Sequence, residues 1–214
     1  MRTMSDSKGK WIVEGYEITQ GIRIGDKEVV FGINEKADMP YLCSLYSANS
    51  IFESYEDSMA GDDYVEMVEL FADRVKSQCV KVREEQEKVT VPREKITADM
   101  CNSTFQCGNL TGKVMAIKAE VLRPEYRSAE HQIVYVTGGN GARQDSFGTA
   151  CYCITLYSGE RSRWERYDFQ GEIKPECLPE WAGERKAEIE RQETAKTRQK
   201  QEITAKEQSD REVR

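Results

Sequence analysis

Six apolar side chains, Tyr64, Val68, Phe71, Val75, Cys79 and Val82, recur at spacings of three and four. An α-helix turns once every 3.6 residues, so these positions form one apolar stripe. The other side of the same segment carries Glu66, Glu69, Asp73 and Lys76. A helix of this kind cannot stand alone in water; its stripe must lie on another layer. Both ends are signalled. Asp63 followed by Glu66 predicts a capping box, and acids suit the positive end of the helix dipole. The charged run Arg83 to Lys88 continues the helix, and Pro92 ends it.

The segments on either side of this helix have the period of strands. Trp11 to Glu17 alternates apolar and polar residues. Ile22 to Phe31 holds two β-prone runs around Gly25-Asp26, which predicts a hairpin. Pro40 precedes a third candidate strand, Tyr41 to Tyr46, and Ile51 to Tyr55 is a fourth. Beyond Leu110, four further strands are predicted. Met115, Ile117, Ala119 and Val121 share a face of the first; Gln132 to Thr137, Ala150 to Tyr157 and Arg161 to Phe169 follow, separated by glycine-rich turns. Pro179 stands where a helix would start. After Trp181 apolar residues become sparse, and Gly183 to Arg214 reads as a solvated helix that frays.

The expected fold class is therefore α+β. An N-terminal β-hairpin or meander packs on one long amphipathic helix. A small, strongly bent antiparallel sheet or partial barrel follows, and then a charged helical tail. The corresponding units are 1–95, 96–181 and 182–214.

Composition narrows the setting. The chain has 214 residues, with 38% hydrophobic and 32% charged. No apolar run approaches the roughly 18 residues of a membrane span, and the polar start Met1 to Lys8 does not read as a secretory signal. The seven cysteines then read as reduced thiols, and the expected location is cytoplasmic. The net charge of −7 is unevenly placed. Ala37 to Asp73 contains no Lys or Arg but holds Asp38, Glu53, Glu56, Asp57, Asp62, Asp63, Glu66, Glu69 and Asp73.

Five groups of residues carry candidate chemistry. Gly138-Gly139-Asn140-Gly141 resembles a phosphate cradle, but no Lys-Ser or Lys-Thr follows it and no helix pattern begins there, so it reads as a loop between strands. Cys151 and Cys153 share a strand face, with Cys101 and Cys107 as possible companions. The pair spacing of structural zinc sites is absent, and buried thiols are expected instead. His131, the sole histidine, reads as a surface residue at a strand start. No catalytic residue, metal or cofactor is expected.

Arg161, Arg163, Trp164, Arg166 and Tyr167 form a candidate nucleic-acid platform on one strand. Alternation divides them between two faces, which favours an ordinary half-buried strand. The acidic block is the most distinctive group. Glu53, Glu56, Asp57, Asp62, Asp63, Glu66, Glu69 and Asp73 can mimic duplex DNA, because binding in a phosphate groove is dominated by charge. The plainer alternative is a solvated face that maintains solubility.

Four phrases carry a resemblance: Ile24-Gly25-Asp26-Lys27-Glu28-Val29-Val30-Phe31-Gly32-Ile33-Asn34, Gly61-Asp62-Asp63-Tyr64 with its helix, Tyr135-Val136-Thr137-Gly138-Gly139-Asn140-Gly141-Ala142, and Leu178-Pro179-Glu180-Trp181. From about Trp11 to Trp181 the chain resembles uncharacterised accessory proteins encoded on integrative and conjugative elements of gut Firmicutes. The resemblance implies a bacterial cytoplasm and a mobile-element context, in which accessory genes serve transfer, regulation or evasion of host defence. The expected function is a non-enzymatic binding protein, an anti-restriction or anti-CRISPR inhibitor acting on a nucleic-acid-binding host protein through its acidic surface. The alternative is a nucleic-acid-associated accessory factor of conjugative transfer or regulation.

Overall fold

The computed structural model describes residues 10–48, 52–104 and 107–192, and the chain divides between Thr90 and Val91 into two compact units. Both are α+β, each built on its own antiparallel sheet.

The first unit is a five-stranded meander, β1 (Ile12–Val13), β2 (Tyr16–Ile24), β3 (Lys27–Ile33), β4 (Tyr41–Ala48) and β5 (Glu53–Gly61), paired in chain order. The expected strand Trp11 to Glu17 is broken by a two-residue turn. Val13 pairs with Tyr16, and Glu14 and Gly15 take positive φ angles of 47° and 88°. Glutamate is an unusual residue for that conformation, so the turn carries half of the usual Asn-Gly signal. The Gly25-Asp26 hairpin forms as expected, with Ile24 opposite Lys27 and Gly25 at φ 64°.

Helix α1 (Tyr64–Glu87) covers the face of this sheet formed by Val29, Phe31, Cys43 and Leu45. Its inward residues are Met67, Phe71, Gln78 and Val82, so the helix is rotated from the expected stripe. Tyr64 is 50% exposed and Val68 37% exposed. A side chain on Gly61 would collide with Met67 Sδ at 2.8 Å; the missing Cβ lets methionine, the most adaptable apolar residue, take the inner position. Asp63 caps the helix, its Oδ1 accepting from Glu66 N–H at 2.9 Å. The opposite face of β3 and β4 holds Val30, Leu42, Ser44 and Tyr46, also buried. There the sheet curls on itself. Trp11, ahead of the first strand, stacks edge-on against Tyr46 at 5.0 Å and donates to Tyr55 Oη at 2.9 Å on the last.

The second unit contains β6 (Cys101–Ser103), β7 (Val114–Ile117), β8 (Ile133–Gly138), β9 (Ala150–Thr155), β10 (Arg161–Glu165) and β11 (Phe169–Ile173), in the order β10-β9-β8-β7-β11-β6. A short helix α2 (Ala129–Gln132) leads into β8, and a third helix, α3, spans 180–192. Two expectations change here. The strand through Val121 stops at Ile117, where the chain turns over Lys118 to Val121. The strand expected from Arg161 to Phe169 is two strands, separated by a single 3-10 turn, Arg166–Asp168. One forms a sheet edge; the other crosses to lie between β7 and β6.

Both faces of this sheet are covered. Val114, Ala116, Ile133, Tyr135, Ile154 and Leu156 pack with Ile96 and with Ala182 and Ile189 of α3. On the other face Met115, Ile117, Val134, Val136, Cys151, Cys153 and Phe169 pack with Cys107, Leu110 and Ala142 from the loops. The solvated character expected from Gly183 onward therefore does not hold over the first turns of α3. Ala182 and Ile189, seven residues apart, lie on one helix face, and these two contacts join the helix to the core. Residues 193–214 of the expected tail lie outside the described residues. Among the described residues no helix is long and apolar enough to cross a membrane.

Candidate functional site

The acidic block spans two elements of the first unit, and the two halves differ in what surrounds them. Glu53, Glu56 and Asp57 lie on β5, an edge strand. Glu53 is half-buried, and together with Glu28 it adds to the burial that raises the hydroxyl pKa values of Tyr46 and Tyr55. Glu56 pairs with Lys27 at 2.7 Å, and that hydrogen bond and charge hold its carboxyl below the ordinary value. Asp57 sits in a bulge with φ 51°, its carbonyl taken by Arg74.

The helical half is different. Asp62, Glu66, Glu69 and Asp73 follow spacings of four, three and four, all exposed. That periodicity puts Glu66, Glu69 and Asp73 on one outer line of α1; Asp62 lies just ahead of the cap residue Asp63. From Glu66 to Asp73 the line runs about 10 Å along the helix axis. None of the four makes an ion pair among the described residues, and Lys76 ends the line one turn later. Asp63 belongs to the same block but is engaged as the cap.

The candidate nucleic-acid residues do not form one platform. Arg161, Arg163 and Trp164 are on β10; Arg166 and Tyr167 are in the turn that follows. Trp164 packs against the buried cluster containing Cys151 and donates Nε1–H to Ser162 Oγ at 3.0 Å. Arg163 pairs with Glu165 at 2.7 Å. Arg166 donates to the carbonyls of Gly141 and Gly108 at 2.8 and 2.7 Å, so it clamps two loops together. Arg161 and Tyr167 remain exposed, and Tyr152, opposite Arg163 on β9, is 55% exposed. Tyr152 was missed in the sequence because its strand reads as core.

The other groups have structural explanations. A Cβ on Gly139 would meet the Ala150 carbonyl at 2.4 Å, and one on Gly141 the Thr149 carbonyl at 2.0 Å. These glycines permit close backbone contact within the second unit. His131 lies in α2, its ring 4.7 Å from that of Tyr126. Burial pushes Cys101 and Cys151 up to about 11 and Cys153 up to about 12, so all three are neutral thiols at physiological pH. Among the described residues, no three His, Cys, Asp or Glu side chains are grouped as a metal would need.

A cleft of about 460 Å³ in the first unit was not expected from the sequence. It lies between α1 and the β4–β5 bulge and contains Arg74 and Gln78. The signal was there: Gln78 stands seven residues after Phe71, a polar residue on the inner line of the helix. No family model, curated protein or solved structure matches the chain.

Proposed function

We propose that this chain is a non-enzymatic binding protein of a bacterial mobile element that works in the cytoplasm as an anti-defence inhibitor. In this reading Asp62, Glu66, Glu69 and Asp73 enter the basic groove of a restriction or CRISPR nuclease and take the place of DNA phosphates. One observation carries it: three exposed carboxylates without ion-pair partners among the described residues are aligned along a helix that packing holds on a sheet, with Asp62 just ahead of it. A fixed line of charge is already arranged for its partner, so less ordering opposes binding. The strand half of the block, engaged with Lys27 and Arg74, contributes less. The neutral thiols at Cys151 and Cys153 and the half-buried His131 favour binding over nucleophilic chemistry.

The nucleic-acid-factor reading retains Arg161, Tyr152 and Tyr167 as exposed residues. It has lost Trp164 and Arg166 to packing and to the loop clamp. The two readings separate in a DNA-cleavage assay with purified nucleases. The full chain should inhibit cleavage at low salt, and Glu66→Gln/Glu69→Gln/Asp73→Asn should relieve the inhibition. Inhibition should also fall steeply with salt, as the Debye length shrinks from about 10 Å at 0.1 M to about 3 Å at 1 M. Direct binding of single-stranded DNA or RNA, weakened by Arg161→Ala or Tyr167→Ala, would favour the second reading.

A further inference from the structure

The cleft between α1 and the β4–β5 bulge combines three features. First, Gln78 is 3% exposed, yet its amide makes no hydrogen bond among the described residues. The amide opens into the cleft rather than into the core. Second, Arg74 is half-buried and pairs with no carboxylate within 4 Å among the described residues. Its Nη1 donates to Cys43 O at 2.9 Å and to Cys43 Sγ at 3.5 Å, and its Nη2 to Asp57 O. An arginine has five N–H donors. Those three contacts leave two of them open. Third, Leu45 and Met59 form an apolar wall, and Ser58 and Ser77 complete the lining.

The nearby charges are largely answered. Glu56 is paired with Lys27 and also feels Lys81. The groups left open are donors carrying one positive charge: two N–H of Arg74, the Gln78 NH₂ and the Ser77 hydroxyl. Asp57 also lines the cleft and makes the lining formally neutral overall, so a single carboxylate fits only on the Arg74 and Gln78 side and a second negative charge is repelled.

We propose that this cleft binds a small organic monocarboxylate, its oxygens held by Arg74 and Gln78 and its apolar part against Leu45 and Met59. Bidentate recognition of a carboxylate is the task for which a guanidinium is shaped. The carboxylate comes either from a free acid or from the C-terminus of a peptide. This site is separate from the outer line of α1, so it stands or falls independently of the inhibitor reading.

The test is a ¹H–¹⁵N NMR titration of the full chain with butanoate and with N-acetylleucine, each beside its neutral amide. Saturable shifts at Asp57, Ser58, Arg74 and Gln78 with the carboxylates, and none with the amides, are expected. Tighter binding of N-acetylleucine identifies a peptide terminus as the source; tighter binding of butanoate identifies a free acid. Arg74→Gln also removes the clamp on the bulge and is prone to unfold. Gln78→Met therefore serves as the second variant. It should melt close to the wild type, because methionine keeps the volume and inward packing of the side chain, yet bind the carboxylate about tenfold more weakly or worse. Amides that bind as well as the acids, absence of saturation, or undiminished affinity in Gln78→Met would overturn the proposal.

Discussion

The two units solve the same problem, a sheet with two apolar faces, in different ways. The first covers one face with a single helix and the other by curling, so that Trp11 reaches Tyr46 and Tyr55. Its strands follow chain order, and the net charge of −7 falls in residues 1–90, the remainder being balanced. The second covers one face mainly with α3 and the other with loops, and its strand order is rearranged by β11. Its polar residues serve structure. Gln132, fully buried, accepts from Ile96 N–H and donates to the carbonyls of Ile96 and Ile117. Arg166 ties two loops. The difference separates a unit whose polar side chains tie strands and loops together from one whose outer helix face presents carboxylates outside any ion pair among the described residues.

Substitutions can sharpen that contrast. The largest effect is expected at Phe169, 1% exposed in the second unit, where Phe169→Ala should cost about 4–5 kcal/mol in denaturant unfolding. Phe71→Ala in α1, whose ring meets Phe31 edge-on at 6.0 Å, should cost about 3 kcal/mol. A change near zero there would mean that α1 is not seated on its sheet. Ile189→Ala should cost about 2 kcal/mol, and truncation before Gly183 should lower the melting temperature by several degrees. An unchanged melting temperature would show that α3 contributes nothing to the second core. Asp63→Ala should cost about 1 kcal/mol through loss of the cap. Glu66→Gln, Glu69→Gln and Asp73→Asn should each fall within about 0.5 kcal/mol of the wild type, as exposed residues without ion-pair partners.

The legible parts of the fold were those fixed by short-range chemistry. Asp63 and Glu66 announced the start of α1, and Gly25-Asp26 announced its hairpin. Less legible were features decided by distant contacts. The rotation of α1 depends on Gly61 giving room to Met67, which no periodicity encodes. The break at Arg166 looks like continuous strand because Trp164, Tyr167 and Phe169 are all β-prone. It is set by a reciprocal cap, in which Glu165 and Asp168 each accept from the other's backbone N–H. Ile189 was hidden by the charged residues around it. For the candidate site, composition located the acidic block but not its division, because the pairing of Glu56 with Lys27 joins residues from different strands. The cleft left one trace in the sequence, the polar Gln78 on the inner line of α1, but its other wall comes from β4 and β5, which no local pattern joins to Arg74.

The inhibitor reading is tested most directly by displacement of DNA. Labelled duplex DNA is first bound at low salt to a purified nuclease that the chain inhibits. The full chain and its Glu66→Gln/Glu69→Gln/Asp73→Asn variant are then titrated against that complex, with fluorescence anisotropy as the readout. The account predicts that the wild type releases the DNA, that the variant needs at least about tenfold more protein, and that both melt alike. Equal displacement by the two proteins, or labelled DNA taken up by the chain itself, would contradict it.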